Sequence, residues 1–146
     1  MPQSKNLHAS PEDAEQAFYE ALENANLEAV MELWSDDDEI VCIHPGGPRL
    51  VGHAAVRAGW KALFTNGPVL ARRAHLHVIG GPMFAVHSIV EQVIVAQAEA
   101  TTVVNVFATN VYVKGPQGWR LILHHACLTP PDHTLSVGGP VPQLLH

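Results

Sequence analysis

Ten of the 146 residues are histidine, roughly three times an ordinary share. Imidazole titrates near neutral pH and can act as acid, base or metal ligand. His44 closes the apolar stretch that starts at Ile40, and His125 lies in the apolar run Trp119–Leu128. Alternate residues of a strand share a face. That groups Ile40, Cys42 and His44, and separately Trp119, Leu121, Leu123, His125 and Cys127. Each histidine then ends an apolar row in or near a pocket. There the two could work as general base and acid, or one could work with a carboxylate. The other reading has each bonded to a backbone carbonyl in the core. Strict alternation sends His124 to the opposite face from His125 unless a bulge intervenes.

Carboxylates that could join them are few. Glu91 stands in the middle of a long apolar stretch and shares parity with His87, Val93 and Val95; Asp38 shares parity with Ile40 and His44. Either could turn inward, and either could face solvent. Asn105 interrupts the apolar run Val103–Phe107. A buried amide needs partners, so it would orient a ligand or pair across an interface. Trp34 and Trp60 could cover an apolar ligand or fill the core. With His87 and Asn105 they make up the candidate ligand pocket. His75 and His77 form an H-x-H pair of the spacing zinc accepts, but no third ligand is identifiable, and the reading names no metal and no cofactor. The run Asp36–Glu39 lacks the spacing of a Ca²⁺ loop. Nucleotide-binding loops and the G-x-S-x-G elbow are absent.

The elements that must position these residues follow from pattern. Ser10, Pro11 and Asp13 open a helix, whose face is Ala14, Ala17, Phe18, Ala21 and Leu22. A second short helix carries Leu27, Val30, Met31 and Trp34. A strand over 40–44 ends at Pro45-Gly46-Gly47-Pro48. A third helix over 53–64 turns Val56, Trp60, Leu63 and Phe64 inward and stops at Asn66-Gly67-Pro68. Four long strands over 69–79, 83–98, 101–113 and 119–128 follow, the first two joined by Gly80-Gly81. Helices gathered on one face of such a sheet make an α+β domain. Long strands twist and curve, which leaves a hollow under the helices where a small apolar ligand fits.

The stretches LENANLEAVMELWSDDDEIVCIHPGG, LVGHAAVRAGW and GWRLILHHACLTP resemble the SnoaL-like branch of the nuclear-transport-factor-2-like superfamily. HLHVIGG and HHAC also resemble the association domain of calcium/calmodulin-dependent protein kinase II. The resemblance implies a cone-shaped, cystatin-like fold, with a curved antiparallel sheet and three N-terminal helices over its concave face. It covers residues 11–130, leaving 1–10 as a flexible N-terminus and 131–146 as a Pro/Gly-containing arm. The functions it implies are isomerase, dehydratase or polyketide cyclase on the one hand and a non-catalytic association module on the other. Isomerase and dehydratase members typically place an Asp or paired His in the pocket, and no obvious inward Asp is present here.

A net charge of −6 with scattered Lys and Arg argues against nucleic acid and anionic membranes as partners. Two cysteines make no disulfide framework. Both lie in apolar runs and read as buried free thiols, so a reducing cytoplasm is expected; no apolar run reaches membrane-spanning length, and the N-terminal stretch lacks a signal-peptide core. Val103-Val104, Val106-Phe107 and Leu121–Leu123 put apolar side chains on both faces of the sheet, which implies that both are covered. A second copy packed on the convex face would do so. On this reading Val104 and Val106 face the partner, while Val103 and Asn105 face the pocket.

Overall fold

Ser10 is extended and its hydroxyl caps the Asp13 amide at 3.0 Å, so a helix, α1 (Pro11–Glu23), starts at Pro11. Glu12 and Asp13 in its first turn complement the helix dipole. Asn26 caps α2 (Leu27–Leu33) in the same way, accepting from Ala29 N–H. The computed structural model describes residues 8–96 and 101–130. The N-terminus and C-terminal arm expected from sequence therefore lie largely outside the described residues; His8 is included, and its carbonyl accepts from Trp119 N–H at 2.9 Å.

After α2 come β1 (Val41–Ile43), β2 (Arg49–Val51), α3 (His53–Phe64), β3 (Leu70–Gly80), β4 (Phe84–Ala96), β5 (Thr101–Gly115) and β6 (Gly118–Leu128). Strand β2 adds to the sequence reading. The Pro-Gly-Gly-Pro run ends β1 as expected, but Gly46 takes a φ of 73° and Gly47 N–H bonds the His44 carbonyl. The chain therefore folds straight back, and β2 pairs with β1.

The six strands lie in the order β2-β1-β6-β5-β4-β3. All neighbours are antiparallel except β1 and β6, which run parallel and register Cys42 against His124. The three helices lie over one curved face, making the α+β architecture. The core beneath them holds Phe18, Leu22, Val30, Trp34, Val56 and Trp60.

Two bulges decide which side chains face that core. In β6, Val111 pairs with Leu123 but Tyr112 pairs with Leu121, so Ile122 is the extra residue. A bulge of this kind shifts alternation by one. Trp119 and Leu121 point inward before it, and His124 and Ala126 after it, all buried. In β3, the register shifts between Ala74 and His77, with His75 at a φ of 51°. The H-x-H pair straddles this bulge and both histidines are exposed.

Candidate functional site

Helix α1 brings more than apolar side chains to the sheet. Glu15 and Tyr19, one turn apart, share the buried face with Phe18 and Leu22. Across from them the inward rows of the sheet place His87, Asn110 and His124 side by side, through the pairings His87↔Asn110 and Asn110↔His124.

These side chains form one hydrogen-bonded cluster. Glu15 Oε2 accepts from His87 Nδ1 at 2.9 Å, Tyr112 Oη at 2.8 Å and Asn110 Nδ2 at 3.3 Å. Its Oε1 accepts from Arg73 at 3.3 Å. Burial alone would raise the Glu15 pKa, but the bonds from His87, Tyr112 and Asn110 outweigh it and hold the carboxylate below its ordinary range. Tyr19 Oη donates to Glu91 Oε2 at 2.5 Å and accepts from Asn110 Nδ2 at 3.2 Å. Asn110 Oδ1 lies 2.5 Å from His124 Nδ1.

The far side of the cluster opens into a cavity of about 550 Å³ between α3 and the curved sheet. Its walls are apolar, with Leu63, Val93, Val95, Val104 and Val106 among them. Four polar side chains, His44, Asn66, Glu91 and His124, also line it, and the two imidazoles pack against Trp60. The size and the mainly apolar wall with a few polar side chains are those of a small-molecule site. Burial, with a further push from the Glu15 charge, raises Glu91 to about 7 even though the Tyr19 hydroxyl pulls it back. Burial and the nearby His44 and His125 lower His124 to about 3, and burial lowers His44. The site thus holds two neutral imidazoles and a carboxyl poised near neutral pH. The His44 ring stands edge-on to Trp60, centroids 4.5 Å apart. A second recess of about 570 Å³ lies between α1 and the β3 edge, where Arg73 stacks over Tyr19.

The sequence-predicted residues distribute as follows. His44 and Trp60 line the cavity. His125 does not: it is exposed on the outer face, and the Ile122 bulge gives its place to His124. Asn105 is also on the outer face, in register with Gln92, while Val104 and Val106 line the cavity. The face assignment of this strand is therefore the reverse of the expected one. A run that is apolar on both faces carries no phase, so alternation alone could not orient it. His87 is buried under α1 against Glu15 rather than at the cavity. Trp34 is buried in the core at the end of α2, where it bridges to Leu121. Glu91 faces inward and Asp38 is exposed. Among the described residues, no three His, Cys, Asp or Glu side chains gather as a metal site, and no helix is long and apolar enough to cross a membrane. Glu15 and Tyr19 were missed, although their spacing of four, on the face of Ala14, Phe18 and Leu22, is visible in the sequence.

No curated protein matches the chain. A solved structure from Thiobacillus denitrificans, a candidate calcium/calmodulin-dependent protein kinase type II association domain, is 35% identical with a TM-score of 0.79, covering 86% of this chain and 100% of that one. A candidate dehydratase of the NTF2-like family from Streptomyces avermitilis is 27% identical with a TM-score of 0.71, covering 80% and 91%. An uncharacterised protein with a cystatin-like fold from Caulobacter vibrioides, at 14% identity and a TM-score of 0.70 over 83% and 88%, shares the fold alone. The family model of the SnoaL-like domain matches residues 12–130, and the chain belongs to that family.

Proposed function

We propose that the cavity binds a small, largely apolar ligand and that Glu91 moves a proton on it, in the manner of an isomerase, dehydratase or cyclase. The observation that carries this reading is a carboxyl raised to about 7 in the wall of a largely apolar cavity. A group with its pKa near working pH is the most effective proton carrier, and such perturbed groups cluster at functional sites. Tyr19 fixes the carboxyl through its hydroxyl. His44 and His124 offer neutral nitrogens to the ligand's polar group. The likeness to a candidate dehydratase supports the same class.

A thermal-shift screen of apolar ketones and hydroxylated polycyclic compounds tests binding. A ligand at a hundred times its Kd should add about 2.7 kcal/mol of stability. For a ketone that binds, solvent exchange of its α-hydrogens should be fast with the wild type and lost with Glu91→Gln. Binding without any exchange would leave a ligand carrier and sink the catalytic reading.

A second reading, a non-catalytic association module, is favoured by the outer sheet face and by the likeness to a candidate association domain. That face carries apolar rows, Val86–Val111–Leu123 and Val90–Phe107–Cys127. A twofold copy packed there would cover it and make a homodimer. Sedimentation of the wild type at micromolar concentration tests the pairing, and a compact monomer throughout would end it.

A further inference from the structure

We infer that Glu15 is a remote positioning residue: through Asn110 it fixes His124 with its hydrogen on Nδ1 and a bare Nε2 for the cavity. The consequence for ligands rests on the cavity being the binding site proposed above; the tautomer itself is a property of the empty protein.

The inference follows from donors and acceptors. Glu15 takes bonds from His87, Tyr112, Asn110 and Arg73, four donors that an ionised, acceptor-only carboxylate suits. Asn110 must therefore turn its NH₂ toward Glu15. The same NH₂ meets Tyr19 Oη, whose own hydrogen is given to Glu91. Flipping the amide would set its oxygen against a carboxylate at 3.3 Å and a phenol oxygen at 3.2 Å. With the NH₂ so placed, Asn110 Oδ1 is what faces His124, and an acceptor there requires a hydrogen on Nδ1. A neutral imidazole with that hydrogen has its lone pair on Nε2.

Glu15 is the anchor, and Tyr19 is not. When Glu91 takes up a proton it can donate to Tyr19, which frees the phenol hydrogen to turn toward Asn110. The Glu15 carboxylate still holds the amide in either state. The relay thus keeps His124 constant while Glu91, joined to it through Tyr19 and Asn110, changes charge. A ligand group that reaches His124 is met by an acceptor, so His124 receives a ligand's hydroxyl, enol or N–H, and a ketone that binds must place its oxygen elsewhere in the cavity.

The test is NMR of ¹⁵N-histidine-labelled, ligand-free full chain near neutral pH, with the His124 signals assigned by their loss in His124→Phe. The wild type should show a protonated, pyrrole-type Nδ1 and a pyridine-type Nε2. In Glu15→Gln the neutral side chain can present its own NH₂ to Asn110, so the amide can turn and His124 should lose its single tautomer. A wild-type hydrogen on Nε2, or an unchanged tautomer in a folded Glu15→Gln, would overturn the inference. A purely structural Glu15 would lower stability and leave the tautomer alone. Should Glu15→Gln fail to fold, Asn110→Ala replaces it: a mixed tautomer is expected, and a pure Nδ1–H form overturns the relay. Because no ligand is present, failure here leaves the binding proposal standing, and failure of the ligand screen leaves the tautomer result standing.

Discussion

Replacing Glu91 with Gln should change how stability depends on pH, with little change at acid pH. Gln copies the shape of the protonated carboxyl and its oxygen can still accept from Tyr19. In the native state Glu91 keeps its proton up to about 7, whereas in the unfolded chain it loses it near 4.5. Between those values the folded protein binds more protons, so the Glu91 contribution is full below 4.5 and is lost as pH rises through about 7. At about 1.4 kcal/mol per pH unit, the gap from 4.5 to about 7 is worth about 3 kcal/mol. His124 acts in the opposite sense: held at about 3 against an ordinary 6.5, it adds stability as pH rises over that range. The two slopes oppose each other between 4.5 and 6.5, so the wild-type profile alone is uninformative. The difference between wild type and Glu91→Gln isolates the carboxyl. Urea unfolding at several pH values from 4.5 to 8.5 should show near-equal stability at the acid end and a variant more stable by about 3 kcal/mol at the alkaline end. A difference that does not change with pH would refute the burial of an ionisable Glu91 and, with it, the proton-transfer proposal.

Other outcomes follow from the same geometry. Tyr19→Phe removes the hydroxyl that holds Glu91 down, so the Glu91 titration, followed by ¹³C NMR of its carboxyl, should move above the wild-type midpoint; a move downward would contradict the bond. Val106→Lys puts an ammonium into the apolar cavity and should cost on the order of 3 kcal/mol in urea unfolding and abolish ligand-induced thermal shifts. Phe107→Lys, one residue on and on the outer face, should spare ligand binding and dissociate the proposed dimer in sedimentation. Ser10→Ala removes the cap of the helix that carries Glu15 and Tyr19 and should cost about 1 kcal/mol by urea unfolding.

Much of the fold was legible because its signals are local. Ser10-Pro11, Asn66-Gly67-Pro68 and Gly80-Gly81 mark chain direction by backbone chemistry, and the helices and long strands fall within a few residues of the pattern. The short strand β2 was not, because three residues after a Pro-Gly turn show no period of their own. The site was legible only in part. His44 could be nominated from an apolar row and Trp60 from a helical face, whereas Glu91 was open between facing inward and facing solvent. His125 and Asn105 were nominated on the same logic and lie on the outer face.

Sequence by itself determined the three helices, β1, the four long strands, their order and the family, since capping, turn residues and hydrophobic period act over a few residues. Tertiary structure decided which way each strand faces and what the buried polar groups do. One extra residue, Ile122, exchanges His125 for His124 at the cavity, because side-chain direction in a strand has a period of two and a bulge resets it. Glu15 sits 95 positions before Asn110; only the packing of α1 on the sheet makes them partners, and only that contact turns a helix carboxylate, an amide and an imidazole into one relay.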